Sequence, residues 1–182
     1  NSADAIRARR FLDPNFGERS DEFSGSINIS IARSDTEKDI YSVVVSDDGL
    51  GMSERVMTGP LLDFGSSFWT SSLAAVLYPG LPSNKNFRPT GKFGIGFFSI
   101  FMCSNNVNVF SKEFRAAKDK WNVLRFSAGV KARGNFSHES QTGIHSDIRD
   151  PNTIVQLFVD KNFIIQLARE FDEIEESENI EK

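Results

Sequence analysis

Three glycines, Gly91, Gly94 and Gly96, stand in "RPTGKFGIGFFSIFM" (88–102) and run into an apolar stretch with helical character. Glycines so spaced let backbone N–H groups approach an anion, and a helix start adds its unpaired amides and the positive end of its dipole. Upstream, "SDDGLGM" puts Asp47 at the end of an apolar run and follows it with Gly49 and Gly51. A carboxylate held there can accept a hydrogen bond from an exocyclic amine such as that of adenine, and the glycines let the backbone approach a flat ring. At the start of the chain, Asn1 and Asp4 lie one helical turn apart and face the same side. An Asn oxygen is a hard ligand of the kind Mg2+ accepts when it also shares phosphate oxygens. Each feature alone has an ordinary alternative: a glycine turn before a core helix, an Asx turn, a helical surface pair.

Two familiar phosphate loops do not fit the glycine run. A Walker A loop needs a hydroxyl residue after Gly-Lys and a glycine five positions earlier, where this chain has Phe93 and Asn86. A dinucleotide fingerprint needs a third glycine where Ser99 stands and a buried strand just before it, where "PSNKNFRP" lies. What remains is G-x-x-G-x-G-x-x-S, ending at Ser99.

The elements that must position these residues follow from the periods of the chain. "NSADAIRARRF" reads as a helix with Ala3, Ile6, Ala8 and Phe11 as one buried stripe. Pro14 and Gly17 mark a loop. "SINISIA" alternates Ile27, Ile29 and Ile31 with small polar residues, the period of a half-buried strand. "DIYSVVVSDDGLGM" places Tyr41, Val43 and Val45 on one face, and "RSDTEKD" joins the two runs as antiparallel neighbours. From Ser53 to Thr90, aromatics, serines, prolines and glycines alternate without a period, as in a cover or a loop with short helical pieces. "FFSIFMCS" reads as a short buried helix containing a buried Cys103. "NVNVFSK", "NVLRFSAG" and "NTIVQLFVD" read as strands, and residues 131–151 between the last two as a turn-rich loop carrying His138 and His145. The tail from Phe163 reads as a helix with a solvated acidic end. Together these make one α/β domain whose strands favour antiparallel pairing.

Composition bounds the classes. The 182 residues suffice for one domain with a hydrophobic core, and 17 phenylalanines make a Phe-rich interior the expectation. A net charge of −4 argues against a nucleic-acid partner. One cysteine excludes an intrachain disulfide and fits a reducing, cytoplasmic setting; no run reaches the roughly 20 apolar residues of a membrane span. The N-x-S triplets at Asn28 and Asn135 are of the kind that arises by chance, and the histidines lack metal-ligand spacing. Opening in mid-helix without a Met, the chain is expected to be an excerpt of a longer protein, truncated at its N-terminal side.

The order N-x-x-D-A, D-x-G-x-G, a long cover and G-x-x-G-x-G-x-x-S resembles the GHKL ATPase superfamily, which covers DNA gyrase, heat-shock chaperones, histidine kinases and MutL. "TGKFGIGFFSIFMCSNNVNVFSK" most resembles the ATP-binding domain of the heat-shock protein 90 chaperones, the bacterial HtpG branch among them, and Thr153 in "NTIVQLFV" stands where that family has a Thr beside the adenine carboxylate.

This resemblance implies an α/β (α+β) two-layer sandwich of the Bergerat type over residues 1–182, a mostly antiparallel mixed sheet with helices on one face. ATP would lie between the layers, with residues 53–90 as its lid. Asp47 would receive the adenine amine, with Thr153 assisting through water, and Gly51 and Met52 would line the base. Asn1 would hold Mg2+, with Asp4 near it, and the backbone of Gly91, Gly94, Ile95, Gly96 and Phe97 would cradle the phosphates. The family's general base, a Glu four residues before the magnesium Asn, lies outside this sequence, as does a phosphate-contacting Arg from a following domain, so the catalytic residue is unknown. The family's lid carries an Asn and a Lys where an ungapped alignment puts Met57 and Asp63; an acid there would be unfavourable, so this lid is expected to follow its own path. Its aromatics Phe64, Phe68 and Trp69 would pack a small core or clasp the ligand, and Lys92 would approach the phosphates or remain solvated. The implied role is ATP-driven lid closure and homodimerisation in a chaperone that hydrolyses ATP and acts on client proteins. The alternatives are a DNA-repair or defence ATPase, or a non-hydrolysing nucleotide sensor.

Overall fold

Six strands form one sheet in the order β1-β2-β6-β3-β4-β5, every pairing antiparallel. They run Ile27–Arg33 (β1), Ile40–Asp47 (β2), Asn106–Ser111 (β3), Trp121–Phe126 (β4), Asn135–Glu139 (β5) and Thr153–Asp160 (β6). The computed structural model describes residues 1–13, 25–34, 37–91 and 93–180. The expected loop at Pro14 and Gly17, part of the β1–β2 connection, Lys92 and the side chains of the acidic tail lie outside the described residues. Helices span Ser2–Leu12 (α1), Glu54–Met57 (α2), Ser72–Leu77 (α3) and Lys161–Ile180 (α4).

The period-2 runs do what alternation requires: register assigns each side chain to a face. Val107 and Val109 of β3, Leu124 and Phe126 of β4, and Val155 and Leu157 of β6 make one face. Met57 of α2 and the aromatic run Phe97, Phe98 and Phe101 pack onto it. The Phe-rich interior is real here, since Phe97 and Phe101 both contact the Phe126 ring, at 6.1 and 5.0 Å between centroids. The opposite face buries Val44, Phe110, Trp121, Val123 and Ile154 beneath Ile144. The result is the two-layer sandwich with its helices on one side.

Several local readings change. The buried stripe of α1 is Asp4, Ile6 and Ala8, whereas Ala3 and Phe11 are exposed. Asp4 and Ala8 lie one turn apart, and the acid takes a place in the stripe because backbone amides satisfy it there. Ile27, Ile29 and Ile31 do alternate, but as part of the outermost strand they stand 47, 66 and 49% exposed. The run after the glycines is a five-residue 3-10 turn (Phe98–Met102), too short to bury all its sides, so Met102 and Cys103 face outward. The turn-rich stretch 131–151 contains β5, which pairs with β4 and carries His138. Its alternation over "NFSHE" is too short and polar to stand out in the sequence.

Phe110, 2% exposed at the centre of the second cluster, is predicted to be a main determinant of stability. Phe110→Ala should lower the unfolding free energy by about 3–5 kcal/mol, read as a reduced urea midpoint at unchanged m.

Candidate functional site

A cavity opens between the helical layer and the first sheet face. Nine of the eleven residues that the resemblance assigned to the nucleotide and its metal line it: Asn1, Asp47, Gly51, Met52, Gly91, Gly94, Gly96, Phe97 and Thr153. Two do not. Ile95 is half exposed, and Asp4 turns to the backbone behind the loop.

Strand pairing builds the deep wall. Asp47, the last residue of β2, lies opposite Thr153, the first of β6, and Thr153 lies opposite Ser111 at the end of β3. Three polar side chains thus meet at one end of the sheet. The Asp47 carboxylate is 3% exposed and accepts the Gly49 N–H at 3.0 Å. Burial pushes its pKa up to about 6, against the opposing hydrogen bonds from the Ser2 hydroxyl and the Gly49 amide. The Ser111 hydroxyl accepts the Met52 N–H at 2.9 Å, stands 3.0 Å from the Thr153 hydroxyl and donates to the Asn152 carbonyl. Ser111 went unnoticed in the sequence; its only signal was a small polar residue on the inward side of an apolar strand.

Glycine is required at two points. Gly51 has φ +70°, and a Cβ there would overlap the Lys112 carbonyl. Gly94 has φ +62°, and a Cβ would overlap the backbone of Ser66. The opposite wall is the glycine loop, and Asp4 anchors it. The 1%-exposed Asp4 carboxylate accepts the N–H groups of Thr90 and Gly91 at 3.0 and 2.9 Å and pairs with Arg7. Burial alone would raise its pKa, but those amides and the Arg7 guanidinium outweigh burial and hold the carboxyl below its ordinary range. Asn1, at the N-cap of α1, faces the loop: a Cβ on Gly91 or Gly96 would come within 3.5 Å of its Oδ1.

Residues 53–90 cover the cavity. Phe68 and Trp69 pack with Tyr78, Leu81 and Phe87 against Leu50 and Ala8, and they also line the cavity. Of the two uses expected for these aromatics, the small core is therefore formed. Phe64 instead stands exposed against Phe98, Met57 is buried in the main core, and Asp63 is exposed and outside the cavity lining. Ser67 donates its hydroxyl to the Gly91 carbonyl, and the Gly65 N–H reaches the Gly94 carbonyl at 3.4 Å. With this segment seated on the glycines, the free volume is about 180 Å³. Pockets for drug-sized ligands offer roughly 300–1,000 Å³.

Comparison with known proteins decides the lineage. Residues 1–145 match the model of the histidine kinase-, DNA gyrase B-, and HSP90-like ATPases. The chain belongs to this ATPase family. Within it, the chain is 31% identical over 186 residues to the chaperone protein HtpG of Buchnera aphidicola subsp. Cinara cedri, covering 100% of this chain and 26% of that protein. It is 33% identical over 116 residues to HtpG of Aliarcobacter butzleri, covering 62% of this chain and 17% of that protein. To HtpG of Wigglesworthia glossinidia brevipalpis it is 31% identical over 129 residues, covering 71% and 19%. The chain thus spans between about a sixth and a quarter of the length of these relatives. Among the described residues no helix is long and apolar enough to cross a membrane, and no group of three or more His, Cys, Asp or Glu side chains could hold a metal.

For this HSP90-like ATPase domain, two outcomes follow from the site's geometry. Gly51→Ala adds both a left-handed strain and a backbone overlap, so it should cost more than about 2 kcal/mol in denaturant unfolding. Asp47 binds its proton more tightly folded than unfolded, so its contribution to stability is full below about pH 4 and is lost as pH rises through about 6. Asp47→Asn should remove that component from the pH profile of Tm.

Proposed function

We propose that this domain binds ATP with Mg2+ as the nucleotide switch of an HtpG-like chaperone. The observation that carries the reading is that Asp47 and the glycine loop border one cavity from opposite walls, so a single ligand can touch both. The buried carboxylate offers an acceptor for the adenine amine, with the Thr153 and Ser111 hydroxyls beside it to order a bridging water. Gly51 and Met52 supply the wall for the ring, and Gly91, Gly94, Gly96 and Phe97 supply the backbone against the phosphates.

Magnesium fits the donors present only in company with phosphate. Asn1 Oδ1 is a single neutral oxygen beside Gly91 and Gly96, and Mg2+ held by so few protein ligands keeps its waters and shares phosphate oxygens. The ion would neutralise phosphate charge as ATP binds. Asp4 serves this arrangement indirectly, through the backbone of Thr90 and Gly91.

The lid, residues 53–90, would govern access. Its Ser66–Gly94 apposition crowds the place where phosphates would lie, so a triphosphate must shift residues 65–67 and then be enclosed by them. ATP acts as a switch to the extent that it prefers one lid position. In the full-length protein this motion would drive homodimerisation and ATP hydrolysis in the cytoplasm, on behalf of client proteins. Hydrolysis would draw on a general-base Glu four positions before Asn1, as the family pattern implies. The relatives favour this chaperone role over a repair or defence ATPase. A turnover assay on the full-length protein separates it from a non-hydrolysing sensor.

Calorimetry with ATP or ADP and Mg2+ provides the test. Asp47→Asn removes a charge-assisted acceptor and should weaken binding by about tenfold to a hundredfold. Wild-type affinity should rise with pH through about 6 as Asp47 ionises. Unchanged affinity in Asp47→Asn would mean that the base lies elsewhere. Asn1→Ala should reduce the affinity gained on adding Mg2+ while leaving metal-free binding nearly intact.

A further inference from the structure

On the far side of the sheet from the cavity sits a buried cation that the site above does not use. Lys112, directly after β3, is 4% exposed, and its ammonium lies 5.1 Å from the centre of the Trp121 ring. It donates to Asp150 Oδ1 at 3.2 Å and to Asn152 Oδ1 at 3.1 Å. Asn152, directly before β6, is also 4% exposed. Its own N–H donates to the Asp47 carbonyl at 2.8 Å, and its side-chain amide donates to the carbonyls of Asp48 at 3.4 Å and Gly49 at 2.8 Å. One residue thus binds three consecutive carbonyls of the turn that carries Asp47. The same strand ends brace the turn elsewhere: the Phe114 N–H donates to the Leu50 carbonyl, and Gly51 lies against the Lys112 carbonyl.

Chemistry fixes the direction of this relay. An ammonium has donors only, so it must face the amide's oxygen, which turns the NH2 toward the carbonyls. Without the cation the amide could rotate and set its oxygen against two carbonyl oxygens. Burying a lysine is costly unless it is paired, and here Asp150, Asn152 and the Trp121 face provide for it. Of its contacts, the one to Asn152 Oδ1 selects a single orientation of that amide.

We infer that Lys112 and Asn152 are positioning residues for the base end of the cavity, a two-step relay that holds the Asp47–Gly51 turn from behind without touching the ligand. The inference rests on the nucleotide reading above for its ligand, but its mechanical part stands on this structure alone.

The experiment is ADP titration by calorimetry with Mg2+, paired with amide hydrogen exchange on ligand-free protein. Asn152→Asp keeps the size of the side chain and removes its donors; Asn152→Ala removes the side chain altogether. Either should weaken ADP about tenfold, as expected when a hydrogen-bonded turn loses its fixed geometry. Lys112→Met should weaken ADP by a smaller factor, and Lys112→Met/Asn152→Ala should be no weaker than Asn152→Ala, because the lysine acts through the amide. Exchange should accelerate at Gly49 and Leu50 while β3 and β4 stay protected. Val123→Ala, a core truncation in β4, supplies the control: it should lower Tm and leave ADP affinity within about twofold. If the Asn152 variants lose Tm but keep ADP affinity, as Val123→Ala is expected to, the relay is merely structural and the inference is overturned. Wild-type protein that fails to bind ADP would overturn the proposed function; local exchange in the Asn152 variants would then still decide whether the turn is held this way, and unchanged exchange would sink that too.

Discussion

The antiparallel pairing of β2 with β6 is the constraint on which the site depends. It sets Asp47 opposite Thr153 at one end of the sheet, and β3 adds Ser111 beside them. Because a one-residue slip in either strand would turn these side chains to the other face, the hydrophobic register of Val43, Val45, Val155 and Leu157 also fixes the chemistry of the cavity. The carboxylate is tolerated there because the Gly49 amide and the Ser2 hydroxyl bond to it, yet not enough to cancel burial, which keeps it a poised, titratable group.

The opposite wall follows another logic. A glycine loop has no side chains to hold its shape, so its geometry must be imposed from outside. Asp4 does this with two hydrogen bonds to Thr90 and Gly91, tying the loop to the first helix. Residues 65–67 press on it from the other side. The same helix supports the loop, presents Asn1 to it and, through the Ser2 hydroxyl, bonds the Asp47 carboxylate of the deep wall. The aromatic core of residues 53–90 keeps the covering segment folded as a unit, resting on Leu50 and Ala8.

Much of this was legible in the sequence because it is local. D-x-G-x-G and G-x-x-G-x-G-x-x-S are contiguous, and their glycines announce backbone requirements that Gly51 and Gly94 indeed have. Five of the six strands showed in their alternation, and β5, short and polar, did not. What was misread lies where local pattern and solvent exposure part company. The isoleucines of β1 alternate as a half-buried strand should, but an outermost strand has fewer neighbours to cover it. Five residues after the glycines were apolar enough for a buried helix, yet they form one short turn with Met102 and Cys103 in solvent.

By itself, the sequence determined the period of every strand but β5, the places where only glycine can stand, and the presence of a carboxylate at the end of an apolar run, since those depend on neighbours along the chain. Only the tertiary structure decided that Asp4 serves the loop backbone, that Ser111 joins Thr153, and that Lys112 reaches the Asp47 turn through Asn152. These contacts join residues roughly 40 to 100 positions apart, and polar side chains choose partners by what folding brings within about 3 Å, which no local spacing encodes.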